Sequence, residues 1–381
     1  MSLLVILPRG YFVDRKTVMA PMLLLVLRVS FFLRDRLLLF YVSFELVLIP
    51  ITWILVVEGY QPERQPAAVS MFFYTVSTSL LLFVNLLYML QGEVASLHLI
   101  TLESAFLKTG RVFAAFTLIS AFLVKIPTYG AHLWLPKAHV EASVKGSIIL
   151  AGILLKLGGF GLMQVFPPTL GRAVLAPLLF YCLLGGCVGA LICIRQVDIK
   201  LVVAFSSVVH ISAVASLIFT GTPWGFKAAT LVIVTHAFSS SWMFFIVNLT
   251  YVRRNSRNIL LRGGLRRALG GFFGFWFLRV VSFVGGPPTV SLWGELVAVI
   301  GLLVCAWSSF FPLAAILFLG VGYGLILFRG VSHSRVKKAP HPSLKVMTSG
   351  ELMSCVFLAA VTTVSFIGIS LVFWTCGVIN T

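Results

Sequence analysis

Six residues in this 381-residue sequence are of types that move protons, and each lies among side chains suited to lipid: Glu45, Lys125, Lys156, His210, His236 and Glu295. A charge at the centre of a bilayer costs about 2.5–3.5 kcal/mol on insertion scales, so an ionisable residue there marks a functional path by default. A lysine and a glutamate in low dielectric share their proton affinities through the ion pair. An imidazole both donates and accepts near neutral pH. Together the six have the chemistry of a proton relay. Structural readings stand beside it: Glu45 as a hydrogen-bond partner of a neighbouring helix, and either histidine alone as a satisfied core residue.

Two interruptions sharpen the reading. In Phe122–Gly161 the two lysines flank Pro127, His132, Pro136, His139 and Glu141, a polar stretch where a simple anchor would stay apolar. Pro127 has no amide hydrogen and disfavours helix at Ile126, so a helix break is expected one residue after Lys125. Tyr129, His132 and His139 are expected to satisfy the freed backbone or hold water. The plain alternative is a packing kink. A second break is expected at Gly285–Pro288, in GGPPTVSLWGELVAVI, with Glu295 in the half beyond it. Broken helices at membrane depth occur where they line a cavity or are buried in protein, as in transporters built from repeats.

The elements that must position these groups follow from composition. The chain is 59% hydrophobic and 10% charged, with a mean hydropathy of +1.05. Its repeated apolar runs of about 20 residues match the hydrocarbon thickness and must be helical, because lipid satisfies no backbone groups. The fold class is therefore all-α, a polytopic transmembrane helical bundle of about 11 spans with two interrupted helices. The spans start near Val18, Leu37, Ala67, Val112, Val144, Ala173, Leu201, Phe226, Gly270, Cys305 and Glu351. We read residues 1–381 as a single membrane domain. Residues 18–165 form a first proton half-channel with Glu45, Lys125 and Lys156. Residues 166–304 form a second with His210, His236 and Glu295, and 305–381 are terminal helices.

The net charge of +18 sits mostly in connections. One side collects Arg9, Arg15, Lys16, Arg64, Lys137, Lys145, Arg195, Lys200 and the Arg253–Arg267 and Arg329–Lys345 clusters. The other has only Arg34, Arg36, Lys108, Arg111, Arg172 and Lys227, while Arg28, Lys125, Lys156 and Arg279 stay inside the membrane. The positive-inside rule makes the crowded side cytoplasm or matrix and puts the C-terminus opposite. No aromatic platforms interleave with the basic clusters, which excludes a nucleic-acid partner; membrane lipids are the expected surroundings. Arg28 reads as snorkelling or as a partner contact, and Lys145 as snorkelling. The six cysteines all fall in apolar spans without metal or iron–sulfur spacing, so they read as packing residues and no metal site is expected. Met1–Lys16 lacks the pattern of a cleavable signal peptide.

Three segments carry a resemblance: LVKIPTYGAHLWLPKAHVEASVKGSIILAGILLKLGGFG, IRQVDIKLVVAFSSVVHIS and PPTVSLWGELV. Over roughly Phe44 to Val299, in matching order, the chain resembles the subunit 4 family of antiporter-like membrane subunits of respiratory NADH:ubiquinone oxidoreductase (complex I). The resemblance implies a proton path. The family's glutamate–lysine pair falls on Glu45 and Lys125, its central lysine on Lys156, its hydrated histidines on His210 and His236, and its distal acid on Glu295. It also implies other membrane-arm partners, especially antiporter-like subunits 2 and 5. No cofactor is expected in this chain; NADH, FMN, iron–sulfur clusters and ubiquinone are expected in partner subunits. The implied location is the mitochondrial inner membrane, multi-pass, with basic loops in the matrix and the C-terminus on the intermembrane side. Against the family's fourteen or so spans, the first three helices are expected to be lacking. Ser143 stands where the family has proline and Lys145 where it has a small residue. Two other classes remain at this point: a subunit of the related multi-subunit cation/proton antiporters, and a structural membrane scaffold.

Overall fold

Apolar runs without water partners fold as helices, and the computed structural model, which describes residues 15–33, 36–59, 62–90, 111–165, 172–254, 256–259, 270–332 and 347–379, shows helices joined by turns and an isolated antiparallel bridge between Asp198 and Asn258. Eight of the described helices are long and apolar enough to cross a membrane, and four shorter apolar helices accompany them. The basic residues Arg9, Arg34, Lys108, Arg262, Arg266, Arg267, Arg335, Lys337, Lys338 and Lys345 lie outside the described residues, as does the side chain of Cys376. The chain divides into two compact units, Met1–Leu178 and Leu179–Thr381.

The first unit begins with α1 (Arg15–Phe32), α2 (Leu37–Leu46) and α3 (Leu48–Glu58). The last two read as one span in the sequence, and the structure interrupts the helical hydrogen bonding at Val47. Pro50 is the cause: it has no N–H for the Leu46 carbonyl and its ring crowds that carbonyl. Next come α4 (Arg64–Leu90) and α5 (Arg111–Lys125), packed on one another. As expected, α5 stops at Lys125, and helix resumes only at α6 (Trp134–Glu141). The carbonyls freed by Pro127 find local donors. Leu123 O accepts from the Thr128 amide and hydroxyl (3.3 and 3.2 Å), and Val124 O accepts from Trp134 Nε1 (3.0 Å). Thr128 and Trp134 thus do for these two carbonyls what the sequence assigned to Tyr129, His132 and His139. His132 Nδ1 instead accepts from the Gly130 amide, and its ring stacks on Tyr129.

The helix after the first break is itself irregular. It comprises α7 (Val144–Ile149), a single π turn (Leu150–Leu154) and α8 (Leu155–Val165). Ser143 settles its start, because its hydroxyl oxygen caps the helix by accepting from the Gly146 amide (3.0 Å) while donating to Glu58 Oε2 (3.0 Å). A serine does here by side-chain capping what a proline does through a pre-set φ. Helix α9 (Arg172–Arg195) runs out of this unit.

The second unit is built around α10 (Ile199–Phe219) and α11 (Pro223–Arg254), the former buried along nearly its whole length. Packed with them are α12 (Gly270–Phe283), α13 (Val290–Leu303), α14 (Phe310–Ser332) and α15 (Ser349–Ile379). The second expected break separates α12 from α13. Gly285 there adopts φ +75°, and the Pro287–Pro288 bond is cis. Ser291 Oγ donates to the Ser282 carbonyl across the gap, and Thr289 Oγ1 donates to the Gly286 carbonyl (2.6 Å).

Two expectations need correction. Cys305 is not within a span: helix ends at Leu303, and Cys305 is exposed in the turn before a short 3-10 segment. Nor does Arg253 belong to the basic loop. It lies in the last turn of α11, where Arg253 Nη2 meets Glu351 Oε2 at 2.6 Å with both side chains nearly fully buried.

Candidate functional site

In the first unit the end of α2 and the end of α5 deliver opposite charges to one place. Lys125 is 1% exposed. Its Nζ donates to the Phe44 carbonyl at 2.9 Å, lies 3.6 Å from Glu45 Oε1 and sits over the Phe44 ring. The Glu45 side chain is 20% exposed, so one member of the pair is sealed and the other opens outward. A buried ammonium without partners is prohibitively costly; this one has a carboxylate, a carbonyl and an aromatic face.

Lys156, also buried, follows the π turn by two residues. Its Nζ donates to the Ala151 carbonyl at 2.6 Å. A π turn inserts one residue into an α-helical ladder and loosens its carbonyls; such bulges recur at functional sites. Gly158 lets this helix pass directly against the first break. A Cβ there would come within 3.0 Å of the Ile126 side chain and 3.2 Å of its backbone nitrogen. The helix that carries Lys156 therefore packs against the end of α5.

In the second unit His210 of α10 and His236 of α11 have ring centroids 5.6 Å apart, with Phe283 edge-on to His210. They share a cavity of about 20 Å³ with Thr235, Ser239, Ser282 and Glu295. That is room for one water molecule, and the lining offers it several hydrogen-bonding groups. The Glu295 carboxylate rests against Gly285, where any Cβ would overlap it. The second break thus makes the space the acid occupies. The histidines, hydroxyls and carboxylate around a water-sized cavity have the parts of a proton wire.

The structure thus brings Glu45 to Lys125 and places His210, His236 and Glu295 around one cavity, while Lys156 lies on the helix packed against the end of α5. It also shows groups that sequence reasoning missed. The π turn left no signature in LAGIL, an ordinary apolar string. The Ser143–Glu58 bond joins residues 85 positions apart. Glu351 had a local sign, since Thr348-x-x-Glu351 is a capping box, and Glu351 Oε2 accepts from the Thr348 amide (3.2 Å). Arg279 was seen as intramembrane but given no part. It is 0% exposed and donates to Ser282 Oγ at 2.7 Å. Among the described residues no group of three or more His, Cys, Asp or Glu could hold a metal ion.

Residues 35–322 match the family model described as the NADH:quinone oxidoreductase/Mrp antiporter transmembrane region. A curated relative, NADH-ubiquinone oxidoreductase chain 4 of Albinaria caerulea, is 36% identical over 325 residues, 84% of this chain and 74% of that protein. Among solved structures, a chain of respiratory complex I from Thermus thermophilus superposes with a TM-score of 0.82 at 22% identity, covering 90% of this chain and 74% of that one. A chain of the Mrp complex from a Dietzia species gives a TM-score of 0.80 at 19% identity, covering 95% and 41%. At these identities the two structures speak for the fold alone.

Proposed function

This chain belongs to the NADH:quinone oxidoreductase/Mrp antiporter transmembrane family, and on that premise we propose that it is a proton-translocating membrane-arm subunit of NADH:ubiquinone oxidoreductase. The observation that carries this reading is the pairing of buried ionisable groups with helix interruptions in both units. Lys125 ends a helix broken at Pro127, and Glu295 fills the space left by Gly285.

Lys125, when paired with Glu45, keeps its proton. Weakening of that pair frees the proton for Lys156, on the helix packed against the end of α5. His210, His236 and one water in their cavity pass a proton to or from Glu295. Each elementary charge moved against the membrane field costs about 2.3 kcal/mol per 100 mV. The residues described here relay protons; the driving energy comes from redox chemistry in partner subunits, which hold NADH, FMN, iron–sulfur clusters and ubiquinone. The neighbours in the arm are the antiporter-like subunits 2 and 5. The membrane is the mitochondrial inner membrane, with the basic loops in the matrix and the C-terminus on the intermembrane side.

The test begins with mild detergent extraction, native-gel separation and an NADH-oxidation stain, followed by peptide identification of this chain. Its presence in a very large NADH-oxidising band is the expected result, and its confinement to small NADH-inactive assemblies favours the multi-subunit cation/proton antiporter reading instead. Lys125→Met then tests the relay. The assembled complex is expected to lose at least tenfold in protons pumped per NADH oxidised, and undiminished pumping overturns the path.

A further inference from the structure

Arg279 is a permanent charge that the relay does not use, and it is buried more completely than any of the six relay residues. An arginine remains protonated under all working conditions and has five donors and no acceptor. Burying such a group is expensive unless it is bonded. Among the described residues no carboxylate pairs with it. Its guanidinium lies 5.6 Å from the Trp242 ring centroid and 5.4 Å from that of Phe283, and Nε and Nη2 have no hydrogen-bond partner there. Among the described residues its one polar contact is Nη1 to Ser282 Oγ, at 2.7 Å.

That contact has a direction. Arginine only donates, so Ser282 Oγ must accept, and the hydroxyl proton is left to point elsewhere. Most serines in these helices give that proton to a carbonyl three or four residues back: Ser206 to Val203, Ser212 to Val209, Ser216 to Ala213, Ser240 to His236. Ser282 makes no such bond among the described residues. Its side chain is 1% exposed and lines the cavity that holds Glu295, His210 and His236. Its own carbonyl is occupied by Ser291 Oγ, which fixes the backbone at the break.

We propose that Arg279 is a positioning residue of the distal relay: by donating to Ser282 Oγ it turns the Ser282 hydroxyl into a donor aimed at the cavity shared with Glu295. The proposal deepens the proton-relay reading and rests on it. Ser282 then orients the cavity's water or the Glu295 carboxylate, and the fixed guanidinium keeps that orientation through every proton transfer.

The experiment uses the assembled complex in membrane vesicles and measures protons pumped per NADH oxidised in five variants. Glu295→Gln reports on the underlying reading, and wild-type pumping by this variant overturns the relay itself. With that arm lost as expected, Ser282→Ala should lower pumping at least threefold, and Ser282→Thr, which keeps the hydroxyl, should restore it. Arg279→Met should match Ser282→Ala, and the Arg279→Met/Ser282→Ala double variant should be no worse than either alone. Wild-type pumping by Ser282→Ala, failure of Ser282→Thr, or additive losses in the double variant overturns the proposal while leaving the relay standing. Should the arginine variants not assemble, the alanine–threonine pair at Ser282 decides it.

Discussion

Lys125 leans on a carboxylate that is itself a fifth exposed, and that asymmetry sets what its loss does. Glu45→Gln leaves the ammonium with the Phe44 carbonyl and ring. Removing one partner of a fully buried pair costs about 3–5 kcal/mol, and the partial exposure of Glu45 places this case lower, at about 1–3 kcal/mol. The expected outcome is a complex that assembles but inactivates at lower temperature and pumps at least tenfold fewer protons per NADH; thermal inactivation and a pumping assay on the same vesicles check both. Gly285 makes the complementary point. Its positive φ strains any other residue by about 1–2 kcal/mol, and the added Cβ overlaps the Glu295 carboxylate. Gly285→Ala is therefore expected to impair pumping nearly as much as Glu295→Gln, although it removes no ionisable group. Equal pumping by Gly285→Ala and wild type would show that the carboxylate does not work from this position.

At the scale of elements, the irregularities matter more than the helices. The π turn at Leu150–Leu154 is one extra residue in the ladder, so deleting Gly152 should restore a regular helix. It also turns Lys156 by about 100° relative to α7, given 3.6 residues per turn. The deletion is expected to keep the helix and abolish pumping, read by native-gel assembly beside a pumping assay. Ser143→Ala removes a cap and the bond to Glu58, a loss of about 1 kcal/mol, and should lower the inactivation temperature with a smaller effect on pumping. Both proline breaks were legible because proline acts locally: it removes a donor wherever it sits. The interruption at Val47 follows from Pro50 by the same rule, yet the unbroken hydropathy of Leu37–Val57 hid it. The π turn and the Ser282 geometry were not legible. One sits in an ordinary apolar string, the other depends on which way a hydrogen bond runs, and neither leaves a mark in residue type.

At the scale of the molecule, hydropathy and charge carried the most, because a bilayer imposes one rule on every residue it contains. The same rule hid the Arg253–Glu351 pair: loop charge was counted by sequence position, whereas this arginine belongs to a helix end and is buried against the last helix. Removing it from the basic loop leaves the charge asymmetry in the same direction, so the proposed orientation stands on the remaining residues. The turn between α13 and α14 provides a direct test. If the Arg253–Arg267 side faces the matrix, the interrupted span formed by α12 and α13 carries the chain across, and Cys305 emerges on the intermembrane side. Its thiol is exposed, while Cys182, Cys193 and Cys355 are buried and serve as internal controls. A membrane-impermeant maleimide applied to mitoplasts should label the Cys305 peptide and spare the other three. Labelling confined to inverted vesicles would reverse the orientation and, with it, the side on which each constellation takes up its proton. The distinction matters for the proposed mechanism, since moving a proton does work only against a field of one sign.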